Sequence, residues 1–328
     1  MTDLHEEVSN APDFTRAINA VLLELASILG EYRDSLVVSG GLAMHLLFGK
    51  GASSTFVGDK PEAGGEFFAR VTKDVDFVIN LVQLGRDFDD QLDTIGELLT
   101  QNLYQEEVPG QFWVKSVRLS GFETAIAIPV EFLAPTPFDT GGDSNLHARV
   151  AAQQEIRPAP LDGVALALLQ PRQILLSGET PDGGKVMDTP IQVVDPAMLI
   201  LIKAIAFADR LKKQERDPAD DKHLDHAAKH AYDISQLLLR YPGGVTALVD
   251  RLVPPYLTAA GPEQPTIDRA LESLRAYFTN REAQGIRLMI RTGEYRYEKN
   301  DIELAQQGTV ARVQRLLRRL DETGESLY

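Results

Sequence analysis

The sequence predicts an α+β protein: a small mixed sheet flanked by helices, followed by a helical C-terminal domain. Three observations carry this. Short apolar runs bounded by turn residues recur in the first half, at 36–38, 75–79 and 124–135, as strands require. Their spacing is too irregular for a doubly wound parallel sheet, and no GxGxxG follows any of them. After IQVVDP at 191–196 the pattern becomes helical almost to the end. The boundary is therefore set near residue 195, giving domains of 1–195 and 196–328.

The elements follow in order. DFTRAINAVLLELASIL (13–29) has helical periodicity and predicts an amphipathic first helix. SLVVSGGLAMHLLFG (35–49) reads as a short buried strand, a glycine turn, and a helix from about Leu42. The stretch 49–66 is rich in Gly and polar residues and predicts a loop. RVTKDVDFVIN (70–80) predicts a strand, 87–103 a helix, and 111–120 and 124–135 two further strands. Loop-rich stretches are expected at about 135–160 and at TPDGGKVMDTP (180–190).

Composition narrows the function classes. Hydrophobic residues make up 44% and charged residues 25%, ordinary for a globular protein. A formal net charge of −15 leaves no general affinity for nucleic acid or anionic lipid, so a polyanion must be met by a local basic patch. The absence of cysteine excludes disulfides and thiolate metal sites. MTDLHEEVSN is too polar for a signal peptide. The longest apolar run, AMLILIKAIAFA (197–208), is too short to span a bilayer. A soluble, cytoplasmic protein with no membrane partner is expected. No GxSxG, SxxK, HExxH or Walker A motif occurs.

The informative anomaly is acidic. Asp74 and Asp76 interrupt an apolar strand, although Asp is depleted in strands and a buried carboxylate is costly without a partner. By strand alternation the two share a face, roughly 7 Å apart. Glu131 stands in the same awkward way between Val130 and Phe132. If the two strands are neighbours, Asp74, Asp76 and Glu131 meet on one face. Oxygen-only ligands select a hard cation, Mg²⁺ or Mn²⁺. The bland reading is a pair of aspartates at an exposed strand end. Ser39, Gly40 and Gly41 join the first strand to its helix; glycines there admit close approach, and a helix N-terminus favours phosphate. A tight turn without ligand is the alternative.

Taken together, VVSGGLAMHLLF (37–48) and RVTKDVDFV (70–78) resemble the nucleotidyltransferase superfamily, whose signature is an apolar strand, Gly-Gly or Gly-Ser, then DxD on the next strand. The likeness extends to AbiEii-type nucleotidyltransferases, toxins of type IV toxin–antitoxin systems, through VVDPAMLILIKAIAFADR (193–210) and KHAYDISQLL (229–238). The resemblance implies a nucleotidyltransferase-like sheet and a nucleoside triphosphate substrate. Ser39, Gly40, Gly41 and Thr72 would lie at the nucleotide, with Arg70 beside Thr72. Asp74, Asp76 and Glu131 would hold the metals, Glu131 also acting as general base. Lys203 would neutralise the β- and γ-phosphates, and Asp233 would organise the pocket. The acceptor would be a hydroxyl of tRNA, of a protein or of a small molecule such as an antibiotic, and a cognate antitoxin would be a partner. A non-catalytic nucleotide- or partner-binding module of the same fold is the rival. The chain departs from the family after Arg210, where a charged insert precedes Lys229 and His230 replaces an expected aspartate.

Three features have two readings each. Lys203, on an apolar helix, serves phosphate or snorkels to solvent. His223, His226 and His230 share a helix face and make a metal site or part of a solvated one. Between 281 and 320 there are nine Lys or Arg against five Asp or Glu, a patch that steers RNA or merely the polar face of an amphipathic helix.

Overall fold

A computed structural model describes residues 11–48, 54–56, 74–87, 92–119, 121, 124–135, 150, 153–258, 263–293 and 299–325. Helix α1 (Ala11–Ile28) buries Ala17, Ile18, Val21, Leu22 and Leu25, the three-and-four spacing of one apolar face. A 3-10 turn (Gly30–Ser35) leads into β1 (Leu36–Val38), wholly buried, and then into α2 (Gly40–Phe48). The helix starts at Gly40, two residues before the expected start. Strand β2 (Ser54–Phe56) lies inside the expected 49–66 loop, and the rest of that stretch falls outside the described residues.

Strand β3 (Val75–Ile79) is followed by α3 (Leu81–Asp87) and α4 (Ile95–Gln101). Within the helix expected over 87–103 the structure has α4, which is shorter, and α3 runs up to the start of that range, in a stretch for which no helix was expected. Thr94 starts α4 with a reciprocal cap: its Oγ1 accepts from Glu97 N at 3.1 Å, and its N–H donates to Glu97 Oε2 at 2.7 Å. Strands β4 (Gln105–Val108), β5 (Phe112–Val117), β6 (Ile126–Pro135) and β7 (Ala159–Leu161) follow.

Strands β8 (Arg172–Glu179) and β9 (Lys185–Val193) form a hairpin that corrects the loop expected at 180–190. The DGG signal marks only its tip. There Thr180 N donates to Gly184 O at 2.8 Å, and Gly183 adopts φ +82°. The polar residues of 185–189 belong to a strand largely exposed at its outer end, so they carry no apolar alternation.

The described residues give a mixed nine-stranded sheet of order β2-β8-β9-β1-β3-β6-β5-β4, with β7 added to β6. It is larger than the small sheet expected, because β2, β4, β8 and the outer half of β9 have little apolar signature. At its centre β1 runs antiparallel to β3 and parallel to β9, and β3 runs parallel to β6. Helix α1 packs across β5, β6, β8 and β9, and α2 against β3. Lys115 of β5 is buried with its ammonium 3.0 Å from Glu24 Oε1 of α1. Tyr104 donates to the same carboxylate at 2.7 Å. Burial first, then the Glu24 charge, raises Tyr104 well above the usual phenol range.

The chain divides between Val194 and Asp195 into two compact units. The second consists of α5 (Pro196–Arg216), α6 (Lys222–Arg240), α7 (Gly244–Thr258), α8 (Gln264–Phe278), α9 (Gln284–Gly293) and α10 (Lys299–Glu325). Helix α5 is buried along its first half and packs against α6, α7 and α8. Phe207 meets Tyr277 and Phe278 edge-on at 5.4 and 5.1 Å. Among the described residues no helix is long and apolar enough to cross a membrane.

Asp195 starts this unit. Its Oδ1 accepts from Ala197 N at 2.8 Å, capping α5, and its Oδ2 accepts from Arg251 Nε at 2.8 Å. The carboxylate is 1% exposed. Asp195→Ala removes both contacts and is expected to cost about 2–3 kcal/mol, while Asp195→Asn, which keeps the cap, costs about 1 kcal/mol. Urea denaturation followed by helical circular dichroism checks the difference; equal losses would contradict the double role.

Candidate functional site

The first turn of the sheet builds the site. Strand β1 needs only three apolar residues to reach across the core, and the chain leaves it at Ser39, which is buried. Ser39 N donates to Asp76 O at 2.9 Å, so the β1–β3 ladder runs one step past the pair Val38 and Phe77. Gly40 then takes φ +67°, a left-handed conformation that favours glycine. A Cβ there would lie 2.0 Å from Asp76 Oδ2 and 3.1 Å from Asp76 Cγ. The Asp76 carboxylate thus lies directly over the bare Cα of Gly40. An alanine would have to displace the acid as well as adopt a strained backbone. Gly41, half-buried, completes the first turn of α2.

Parallel pairing of β3 with β6 sets Asp76 opposite Glu131. Neighbouring strands are about 4.8 Å apart, and register partners point to one face. The two carboxylates are therefore adjacent, and both are half-buried. Asp74 differs from its expectation: it stands at the bend before β3, which begins at Val75, so strand alternation governs Asp76 and not Asp74. Its charge still reaches Glu131. The Glu131 carboxyl is raised above the usual Glu range, by burial first and by Asp74 second, and a side-chain hydrogen bond from Gln111 works in the opposite direction.

These donors suit a divalent cation in chemistry: three carboxylates and no sulfur or imidazole among them. Among the described residues, however, no group of three or more His, Asp or Glu is gathered closely enough to hold a metal ion. The arrangement supplies an adjacent pair, Asp76 and Glu131, with Asp74 within electrostatic reach.

In the helical unit Lys203 of α5 and Asp233 of α6 form a buried pair, Nζ to Oδ2 at 2.8 Å. The approach is ionic, its angles lying outside hydrogen-bond geometry. Lys203 is 6% exposed, which excludes the snorkelling reading. An ammonium is retained in such an apolar helix because a carboxylate of the next helix answers it. Arg70 and Thr72 lie outside the described residues.

The three histidines of α6 differ in exposure, His223 and His230 being half-buried. His226 is exposed, and His223 lies 3.9 Å from Asp220 Oδ2. Several C-terminal arginines are engaged within the helical unit, Arg291 with Asp225 at 3.0 Å and Arg275 with Asp321 at 2.5 Å. Gln111 is the functional candidate that sequence reading missed. Its only signal is its position in the VPGQ turn that precedes β5.

No family model matches the chain, and neither a curated protein nor a solved structure matches it.

The raised Glu131 pKa fixes a pH effect. The native state binds the Glu131 proton more tightly than the unfolded chain, so stability falls as pH rises through the unfolded value and stays lowered above the folded one. In chelator-containing buffer Glu131→Gln is expected to melt above wild type at pH 7, and the gain is expected to vanish below about pH 4. Thermal melts across that range check it; a variant less stable at pH 7 would contradict the assigned cost.

Proposed function

We propose that this protein is a metal-dependent nucleotidyltransferase, which transfers a nucleoside monophosphate from a triphosphate to an acceptor hydroxyl. The observation that carries the reading is the seating of Asp76 between the bare Gly40 and its register partner Glu131. Helix N-termini favour phosphate, and α2 starts at this turn beside Asp76. The sequence resemblance to the nucleotidyltransferase superfamily, down to the AbiEii type, supports the same fold and chemistry.

Asp76 and Glu131, with Asp74, would hold Mg²⁺ or Mn²⁺. When bound, such an ion supplies charge neutralisation on the phosphates and lowers the pKa of a coordinated hydroxyl. Glu131, whose proton affinity is raised, accepts the proton of the acceptor hydroxyl. The acceptor oxygen forms a bond to the α-phosphorus, and the bond from that phosphorus to the bridging oxygen breaks. The electron pair leaves with pyrophosphate. Ser39, Gly40, Gly41 and Thr72 serve the triphosphate. In the helical unit Asp233 holds the Lys203 ammonium; a phosphate role for Lys203 is what the resemblance implies. A hydroxyl of tRNA, of a protein or of a small molecule fits the acceptor role, and an antitoxin fits the partner role that the AbiEii likeness suggests.

Incubation with each α-labelled triphosphate, Mg²⁺, and either total RNA or a protein extract tests the reading. Label is expected to pass to one acceptor class, and Asp76→Asn is expected to lower transfer at least about 100-fold, the scale of losing one electrostatic stabiliser of a transition state. Undiminished transfer by Asp76→Asn, or no transfer from any triphosphate to RNA, protein or small-molecule acceptors, would overturn it.

A further inference from the structure

We propose that the outward face of β5 and β6 beside Glu131 is the acceptor subsite, and that it takes the phenol ring of a protein tyrosine set among basic residues. The proposal rests on the nucleotidyltransferase reading and names the acceptor which that reading leaves open.

Register lays the surface out as a row. Asp76 pairs with Glu131, Glu131 with Phe112, and Phe112 with Val108 past the irregularity in β4. Register partners share a face and neighbouring strands lie about 4.8 Å apart, so Phe112 stands one strand beyond Glu131 and two beyond Asp76. Gly40 lies at the other end, against the Asp76 carboxylate. The next row sets Val114 opposite Pro129. The composition of this face is inverted. An antiparallel pair with one face toward water carries apolar groups inward and polar groups outward. Here the covered side holds Trp113, Val130 and the ion-paired Lys115, all buried. Phe112, Val114 and Pro129 alternate with them and are half-buried, and Val108 is 47% exposed. The charge is inside and the apolar groups face out, which a sheet built for stability alone has no reason to do. Apolar groups gathered on an open face beside polar ones mark a ligand surface.

Reaction geometry assigns this surface to the acceptor. Displacement at phosphorus is in line, so the acceptor enters opposite the leaving pyrophosphate. With the phosphates at the Gly40–Gly41 turn and the reacting phosphorus at Asp76 and Glu131, the opposite side is the Phe112 side. An aromatic ring flanked by Val114 and Pro129 suits a flat ring that carries the hydroxyl. Charge decides against RNA. Phe112, Val114, Ser116, Ala127 and Pro129 supply no cation to this face. Acids bound it, Asp76 and Glu131 at one end and the exposed Glu106 and Glu107 of β4 at the other. Such a border repels phosphates and attracts lysine or arginine beside a tyrosine. Among the described strands β4 is the outermost of the sheet at this end, and it is exposed throughout. The surface therefore opens at a sheet edge, where a ring attached to a polypeptide can enter. The phenol oxygen bonds to the α-phosphorus as the bond to the bridging oxygen breaks; the phenol proton passes to Glu131, and the electron pair leaves with pyrophosphate.

The test incubates the full chain with each α-labelled triphosphate and Mg²⁺, in parallel with a Lys-Lys-Tyr-Lys-Lys peptide, its serine counterpart, its glutamate-flanked counterpart, a protein extract, total RNA and a small-molecule set. Label is expected on tyrosine, in the extract and in the lysine-flanked peptide, with that peptide at least about 10-fold better than either counterpart. Phe112→Ala is expected to raise the peptide KM about 10-fold, with the triphosphate KM and the melting temperature close to wild type. Phe112→Leu, which keeps the bulk without the ring, serves if alanine does not fold. A phenylalanine with only a packing role would lower the melting temperature and leave the peptide KM of the folded protein unchanged. Label on RNA, on a small molecule, on extract residues other than tyrosine or equally on the serine peptide overturns the acceptor assignment while the nucleotidyltransferase reading stands; so does an unchanged peptide KM in a folded Phe112 variant. If no acceptor takes label from any triphosphate, the nucleotidyltransferase reading falls and takes the subsite with it.

Discussion

Two carboxylates placed side by side by β-sheet register are the constraint on which the first unit turns. Asp76 and Glu131 are partners in the parallel pairing of β3 and β6, and strand spacing leaves their charges only a few ångströms apart. At such separations like charges repel even at a surface-like dielectric. Burial first, and the charge of Asp74 second, make Glu131 hold its proton more tightly. A sheet selected for stability alone would place apolar or complementary residues here. The surrounding features accommodate the acids. Gly40 gives up its side chain to make room for Asp76, and Ser39 ties the turn to the Asp76 backbone. The site is a local cost that the nine-stranded sheet around it can bear.

The helical unit repeats the theme with opposite means. Lys203 and Asp233 form a pair in which each partner justifies the burial of the other. Asp195 ends the sheet unit's last connection by capping α5 and binding Arg251. Lys203, Asp233 and Asp195 thus meet opposite charges, whereas Asp74, Asp76 and Glu131 are like charges, and Asp74 acts on Glu131. That contrast is the ground for proposing a cation at the carboxylates.

Legibility in the sequence followed apolar contrast. Strands β1, β3 and β6 are continuous runs because both faces are covered, and the acids within them stood out for that reason. Helix α1 showed its face plainly. The outer strands were lost: β4 is exposed throughout and the first half of β9 nearly so, leaving no alternation to read. Strand β2, which pairs antiparallel with β8, hid in a Gly-rich stretch. The start of α4 was legible in principle from the T-x-x-E cap at Thr94 and Glu97. The neighbouring placement of Asp76 and Glu131 was reachable only as a conditional, because strand order is a long-range property.

The central claim is that this acidic pair exists for a divalent cation. Crystals grown with Mn²⁺ and a non-hydrolysable triphosphate, measured at a wavelength where manganese scatters anomalously, address it directly. The account predicts an anomalous peak bridging the Asp76 and Glu131 carboxylates, with phosphate oxygens completing the coordination and the Gly40–Gly41 turn against the phosphates. A map with ordered nucleotide elsewhere and no anomalous density at these two carboxylates would contradict it.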